Sequence, residues 1–243
     1  MTLPPLTLRA WLRYDVIDSA LRGLSDVRSI LEVGCGQGAL AARLVNRYDY
    51  VGAELDPISC DKAQERIAQA GRGRIVCGDL SAVEVREFDL VCAFEVLEHI
   101  DDDVGALRAW GDRLRSGGWL LFSVPAYQRR WGPADRMAGH YRRYEPEQVR
   151  EPLATAGFTD IKVWTYGFPL DYALEHARNL LARRVAVGPP MEGRTAVSGR
   201  WLQPPESLAW GTQLATAPFR RIQRRFLESG RGTGLVVLAR KSS

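Results

Sequence analysis

Glu95, Glu98 and His99 stand at i, i+3 and i+4 in Glu95-Val-Leu-Glu-His-Ile100, and His140 follows in Gly139-His-Tyr-Arg-Arg-Tyr144. Two chemistries suit such a set. An imidazole titrates near neutrality, so His99 or His140 can serve as the general base that takes a proton from a nucleophile. Two carboxylates with imidazole nitrogens also suit Mg²⁺, Mn²⁺ or Zn²⁺. That metal option, on Glu95, Glu98, His99 and His140, is the less favoured of the two. Arg142 and Arg143 are candidates to hold an anionic group of a substrate. Tyr127, Trp131, Tyr141 and Tyr144 are candidates to wall it in. The competing reading for each is structural, since arginines are more often solvated and aromatics more often core.

A second set lies nearer the N-terminus. Ser29-Ile-Leu-Glu-Val-Gly-Cys-Gly-Gln-Gly-Ala-Leu40 reads as a buried strand, a glycine turn and a helix start. Gly34, Gly36 and Gly38 permit a tight turn and the close approach of a ligand, and a helix start aims free N–H groups over it. Glu32 is a carboxylate inside an apolar run, which implies a partner: a donor-bearing ligand or a backbone amide. The G-x-G-x-G spacing is not the G-x-G-x-x-G of dinucleotide binders. Tyr50-Val-Gly-Ala-Glu54 is a second short strand that ends in an acid, about 20 residues on, where a ribose-binding carboxylate belongs. Glu54 is preferred to Asp56 because it ends the apolar strand directly. Cys77-Gly-Asp79 closes a third strand, and Asp89–Phe94 is a fourth.

Other elements must position these residues. Leu12, Val16, Ile17, Ala20, Leu21 and Leu24 recur at helical spacing and predict a helix over 8–24. Helices are expected over 38–47 and from Pro57, at a first-turn position, to Ala70. Asp101-Asp-Asp103 caps the next helix, which Ser116-Gly-Gly118 ends. Trp119–Val124 is strand five. A helix over 145–156 should kink at Pro152. Thr159–Trp164 is strand six and Gly234–Arg240 strand seven. Alternating strands and helices predict an α/β, doubly wound sheet with right-handed crossovers. Its ligand should sit beyond the carboxyl ends of the strands, where the glycine turn, Glu54, Asp79 and Glu95 all fall.

Together these motifs resemble the class I S-adenosylmethionine-dependent methyltransferases, whose first motif is written here Leu31-Glu-Val-Gly-Cys-Gly-Gln-Gly38. The resemblance runs from about Trp11 to Phe158 and resumes at the last strand. It implies a Rossmann-like sheet of seven strands, mostly parallel with the last antiparallel. It implies S-adenosyl-L-methionine as cofactor, with Glu54 on the ribose hydroxyls and Asp79 and the Leu80 N–H on the adenine. The methionine end would meet Gly34, Gly36 and Gly38, with Glu32 beneath and Glu95 alongside. The leading helix would lie over the cofactor or substrate mouth. The reaction would be an in-line displacement at the sulfonium methyl, for which the protein aligns the nucleophile and removes a proton. Glu-x-x-Glu-His is similar to the metal set of small-RNA 2′-O-methyltransferases and ubiquinone-pathway O-methyltransferases, though it also occurs in metal-free relatives. The GHYRRY loop resembles a subgroup of uncharacterised methyltransferases, so the resemblance stops at the reaction type.

The organisation expected is an N-terminal helical cap (1–28), a cofactor-binding core (29–167), a helical insertion between strands six and seven (168–231), and a final strand and tail (232–243). The formal charge of +4 is uneven: residues 1–167 carry 21 Lys and Arg against 24 Asp and Glu, whereas residues 168–243 carry 12 against 5. That argues against a nucleic-acid grip by the whole protein. In the insertion, Phe219, Ile222 and Phe226 share one helix face, with Arg220, Arg221, Arg224 and Arg225 on the other. This helix can dock on the domain, contact a second copy as in a homodimer, or touch a membrane surface peripherally. No membrane span is apparent. Cys35, Cys60, Cys77 and Cys92 form no C-x-x-C pair, so redox and metal-cage readings are poor, Cys77 and Cys92 read as core, and a reducing cytoplasm fits. The leading expectation is a methyltransferase acting on a small molecule, at oxygen, in secondary metabolism or envelope-glycan assembly. The alternatives are a metal-assisted nucleic-acid 2′-O-methyltransferase and a non-catalytic cofactor-binding interaction protein.

Overall fold

The computed structural model describes residues 3–84, 86–185 and 209–242. Thr7 starts the first helix, α1 (Leu8–Arg22), by accepting a hydrogen bond from the Ala10 N–H at 3.1 Å. Seven strands follow: β1 (Ser29–Val33), β2 (Asp49–Glu54), β3 (Arg74–Cys77), β4 (Phe88–Phe94), β5 (Leu114–Pro125), β6 (Phe158–Gly167) and β7 (Gly232–Lys241). They form one sheet in the order β3-β2-β1-β4-β5-β7-β6. β1 to β5 are parallel, and β7 runs antiparallel between β5 and β6. The expected α/β sheet is therefore present. Its order reverses between β1 and β4, which opens a crevice above their carboxyl ends.

The helices are α2 (Ala41–Leu44), α3 (Pro57–Ala68), α4 (Asp103–Gly111), α5 (Pro133–Ala138), α6 (Arg150–Thr155), α7 (Leu170–Val185) and α8 (Ala209–Gln223). Both faces of the sheet are covered, so its strands are apolar on both sides. Ile30, Leu90, Leu121 and Val236 pack with Leu12 and Ile17 of α1 and Leu44 of α2. Leu31, Val91, Leu120 and Val237 pack on the other face with Leu107 and Trp110 of α4.

Several boundaries differ from expectation. The helix after the glycine turn is four residues long, not ten. Gly111, not Ser116-Gly-Gly118, ends α4, and those residues lie inside β5, beside an irregular register between Phe88 and Leu90. Pro152 kinks nothing, because α6 begins at Arg150 and proline occupies its first turn, where its missing N–H has no intrahelical partner to lose. Cys77 is exposed at the end of the edge strand β3 and forms a disulfide with the buried Cys60 of α3, with Cα atoms 5.6 Å apart. That corrects the reading of Cys77 as core and of the cysteines as unpaired. The signal was absent from the spacing, because only the packing of α3 back along β3 brings the two together.

The basic helix α8 docks on α1. Trp11 Nε1 donates to Thr212 Oγ1 at 3.2 Å, Gln223 Nε2 donates to the Leu12 carbonyl at 2.8 Å, and Arg224 pairs with Asp15. The docked face is therefore Thr212, Thr216, Phe219 and Gln223, not the expected Phe219, Ile222 and Phe226. The helix ends at Gln223, so Phe226 belongs to the turn beyond it, while Ile222 is exposed. Residues 186–208 of the expected insertion lie outside the described residues. Among the described residues no helix is long and apolar enough to cross a membrane.

Gly38 is a position at which the turn admits only glycine without strain. Its φ is +74°, and a Cβ there would lie 3.0 Å from the Cα and Cβ of Ala63 on α3. Gly38→Ala should lower stability by about 1–3 kcal/mol, read from the midpoint of urea unfolding. An unchanged midpoint would show that the turn and α3 separate freely.

Candidate active site

The site is built in two halves along the carboxyl edge of the sheet. In the first, β1 runs into a turn where Gly34, Gly36 and Gly38 have φ of +70°, +55° and +74°, in the left-handed region that glycine enters without cost. Gly34 and Cys35 N–H groups both donate to the Ala53 carbonyl, at 2.9 and 3.1 Å. The Glu54 carboxylate accepts from the Gly36 N–H at 2.7 Å and from the Asp56 N–H at 2.9 Å. Asp56 itself caps α3 through the Ser59 N–H. The Gly78 N–H donates to the Glu54 carbonyl at 2.8 Å, which seats Asp79 beside the end of β2. Asp79 is exposed, and bonds from the Ser81 N–H and hydroxyl hold its carboxyl below the usual range. Leu80 follows, half-buried, with its carbonyl taken by Arg113.

Glu32 is 3 % exposed, and its partner is neither a ligand nor an amide. Tyr50 Oη, on the neighbouring strand, donates to it at 2.6 Å. Burial pushes the Glu32 carboxyl up to about 8, against the hydrogen bond from Tyr50.

The second half begins where β4 ends. Glu95 has φ +58°, rare for a residue with a side chain. Its carboxylate accepts from Ser123 Oγ at 2.9 Å and Tyr166 Oη at 3.3 Å, and pairs with Arg13 at 3.3 Å and Arg9 at 3.5 Å. Burial opposes its ionisation, but the two guanidiniums win and hold it at about 2. Glu95 is thus engaged by α1, β5 and β6 and does not join the metal-like group.

Glu98, His99 and His140 do come together, with one ligand atom from each lying within 4.8 Å of the others. Glu98 is wholly buried, and neither of its oxygens has a hydrogen-bond partner. Burial first, and Glu95 second, raise its pKa well above the carboxylate range. His140 Nε2 lies 4.0 Å from Glu98 Oε1, and its Nδ1 lies 2.9 Å from Asp135 Oδ1. Burial and the neighbouring His140 lower His99 to about 4, so it is neutral at pH 7. The Tyr141 N–H donates to the Glu98 carbonyl at 2.8 Å, which ties the GHYRRY loop to the turn after β4.

The candidate substrate residues take other positions. Arg143 is buried in ion pairs with Asp135 at 2.8 Å and Glu175 at 2.6 Å, so it braces the loop and is not free for a substrate anion. Arg142 pairs at the surface with Asp101 and Asp103, and the exposed Tyr141 stands beside it in the chain. Tyr127 is buried, and its hydroxyl donates to the Gly230 carbonyl, a clasp between the segment after β5 and the start of β7. Tyr144 is buried with its hydroxyl on Asp103. Trp131 is half-buried at the end of the 3₁₀ turn that follows Tyr127. The groove of about 640 Å³ lined by Pro146, Arg150, Lys162 and Trp164 shares no residue with either half of the site.

The sequence reading missed Arg9, Arg13, Asp135, Tyr166 and Glu175. Arg9 and Arg13 did carry a signal: they are i, i+4 on a helix whose other face is apolar. Nothing local marked Asp135 or Glu175, since their role depends on α5 and α7 meeting across the sheet edge. One contact joins the halves. A Cβ on Gly34 would lie 2.7 Å from Val96 Cγ2, so the glycine turn sits directly against the residue after Glu95.

The Glu32 pKa gives a pH prediction for the unliganded protein. Its folded value, about 8, exceeds the unfolded 4.5, so the folded state holds the proton more tightly. This contribution is complete below pH 4.5 and is lost as the pH rises through 8. Glu32→Gln should flatten the fall in urea stability across that window and exceed the wild type at its upper end. Parallel curves for the two proteins would show that Glu32 is ionised throughout.

Comparison with known proteins agrees with this geometry. A family model described as a methyltransferase domain matches residues 8–163. The ubiquinone biosynthesis O-methyltransferase of Nitrosomonas europaea is 30% identical over 118 residues, covering 46% of this chain and 50% of that one. This chain therefore spans about half the length of the ubiquinone-pathway relatives it matches. An uncharacterised methyltransferase of Mycobacterium tuberculosis is 33% identical over 150 residues, covering 56% of this chain and 75% of the relative. Among solved structures, a possible histamine N-methyltransferase of Thermotoga maritima superposes with a TM-score of 0.59 at 16% identity, over 96% of this chain and 90% of that one. With the family model spanning both halves of the site, this chain belongs to the methyltransferase domain family.

Proposed function

We propose that the chain transfers the methyl group of S-adenosylmethionine to a hydroxyl of a small-molecule acceptor. The observation that carries this is the contact of Gly34 with Val96, which sets a nucleoside-binding turn against the Glu98–His99–His140 cluster. In this reading Glu54 receives the ribose hydroxyls and Asp79 and the Leu80 N–H the adenine. The methionine end lies over Gly34, Gly36 and Gly38, above Glu32. The names of the Nitrosomonas relative and its like favour oxygen as the acceptor atom. Acceptors from secondary metabolism or envelope-glycan assembly are the class we carry forward.

The acceptor oxygen attacks the methyl carbon in line with the C–S bond. That bond breaks, its electron pair stays on sulfur, and the hydroxyl proton goes to the protein. His140 suits the proton's arrival. An ionised Asp135 only accepts hydrogen bonds, so Nδ1 donates to it, which leaves Nε2 as the ring nitrogen able to take a proton. His99, neutral at pH 7, stands beside it with ring centroids 4.7 Å apart.

The same three residues also fit a divalent ion. Glu98 offers two unpartnered buried oxygens, and His99 and His140 offer imidazole nitrogens. Asp135 behind His140 is the outer-shell partner that metal-bound histidines use. When bound, such an ion would supply Lewis acidity that lowers the pKa of the acceptor hydroxyl.

Three measurements test these readings. Calorimetry with S-adenosylhomocysteine should show micromolar binding that weakens at least tenfold, about 1.4 kcal/mol, in Glu54→Ala. No binding by the wild type would sink the cofactor assignment. Mn²⁺ titrated into the protein and followed by electron paramagnetic resonance should occupy one site, lost in Glu98→Gln and His140→Ala. A wild type that binds no Mn²⁺ leaves His140 as the base acting alone. Transfer of labelled methyl to RNA but to no small hydroxylated compound would overturn the acceptor class.

A further inference from the structure

Asp171, Glu175, Arg178 and Ala182 recur at i, i+4, i+7 and i+11 and share one face of α7. This face is buried: Asp171 is 0 %, Glu175 4 % and Ala182 1 % exposed. The acids on it are taken. Asp171 pairs with Arg9 at 3.0 Å and accepts from Thr233 Oγ1, and Glu175 pairs with Arg143 at 2.6 Å and Arg130. Arg178 is not taken. Its Nε is buried without a hydrogen-bond partner, and no ion pair joins it among the described residues. Arg9 is close behind, and its Nε and Nη2 are likewise buried with no well-aligned hydrogen bond. The positive charge of Arg9 is the strongest influence on Arg178 and, with burial, lowers its pKa.

Charges around this point do not balance. Arg9 and Arg13 are set against Glu95 and Asp171, and Arg130 and Arg143 against Glu175 and Asp135. Arg178, half-buried with its Nε enclosed and unpartnered, remains as one cation in excess. A guanidinium drawn part-way out of water without an anion is a place for a ligand to supply one, and its planar fork matches a carboxylate or phosphoryl group. Arg9 pairs with both Asp171 of α7 and Glu95, three residues before Glu98, which links this face of α7 to the reacting half of the site.

We propose that Arg178, supported by Arg9, is the subsite for an anionic group, a carboxylate or a phosphoryl, of the methyl acceptor. This rests on the methyltransferase reading and narrows its substrate to a hydroxylated anion. The insertion would then contribute specificity directly, through α7.

The test uses the full chain saturated with S-adenosylhomocysteine and titrated with benzoate or with inorganic phosphate. The wild type should bind one of them at millimolar concentration, and whichever binds tighter identifies the group. Arg178→Met should weaken that binding at least tenfold, and Arg178→Lys should weaken it less. Affinity for S-adenosylhomocysteine should stay within twofold in both variants. The melting temperature of Arg178→Met should be unchanged or higher, because an unpaired, half-buried charge has been removed. Equal anion binding by wild type and Arg178→Met overturns the proposal. So does a tenfold loss of S-adenosylhomocysteine affinity in Arg178→Met, which would give the guanidinium to the cofactor's own carboxylate. A clear fall in its melting temperature, with anion binding retained, would make Arg178 structural. Failure of the wild type to bind S-adenosylhomocysteine is a separate result, and it refutes the underlying reaction instead.

Discussion

A carboxylate that has left water must be matched by cations or donors, and at Glu95 that requirement draws in distant parts of the chain. Arg9 and Arg13 come from α1, Ser123 from β5 and Tyr166 from β6. Arg9 then passes the constraint to Asp171 of α7. The first helix, the last part of the sheet and the insertion are thus tied to one residue beyond β4. The positive φ of Glu95 is part of the same arrangement. It turns the chain so that Glu95 faces α1 while Glu98 and His99, one turn later, face the GHYRRY loop. Such strain persists where surrounding contacts over-determine it, and here the ion pairs do so.

A division of labour along the sheet edge follows. The β1–β3 side is held by backbone and carboxylate bonds that leave Glu54 half-buried and Asp79 exposed, while Glu32 lies buried beneath them. Glu54 links the turn to β2 through the Gly36 N–H, and Asp79 is exposed. The β4–β6 side is denser in buried charge, with Asp135, Arg143 and Glu175 forming a chain of ion pairs across α5, its following loop and α7. Breaking one member of such a buried chain strands its partner, so this side is rigid in the sense that matters for aligning a reaction. The disulfide between Cys60 and Cys77 braces the other side, where α3 meets the edge strand β3.

Why some of this was legible in the sequence and some was not comes down to range. The glycine turn is local: its conformation is dictated by residues 34 to 38, and its neighbours β1 and β2 are short apolar runs. Glu54 was legible for the same reason, since the acid ends the strand that pairs with β1. Glu32 was only half legible. That it needs a partner follows from its setting, but Tyr50 as that partner depends on the β1–β2 pairing. Arg143 read as a substrate ligand because loops near a site often carry them. Its true partners, Asp135 and Glu175, arrive from helices 8 residues before it and 32 after. The pairing of Cys60 with Cys77 and the face that α8 buries were likewise settled by tertiary packing. Charge composition marked α8 as basic, yet its docking rests on a neutral glutamine and threonines as much as on Arg224.

The point between Glu98 and His140 shows what such packing implies chemically. Asp135, held by Arg143, obliges His140 to donate through Nδ1 and leaves Nε2 as the one ring nitrogen able to accept. Glu98 presents oxygens from the other side, 4.0 Å away, with His99 alongside and neutral. Acceptors facing one another in a buried space repel unless something positive lies between them. A proton on Glu98 satisfies this, in keeping with its raised pKa, and so does a divalent cation. Either way the protein has arranged a place that attracts positive charge, next to the turn where a sulfonium would lie. In the proposed reaction, a hydroxyl entering that place would be made more acidic by a cation held there or would give its proton to His140. The base and metal readings are therefore two occupancies of one electrostatic demand, created by burying Glu98 without a donor.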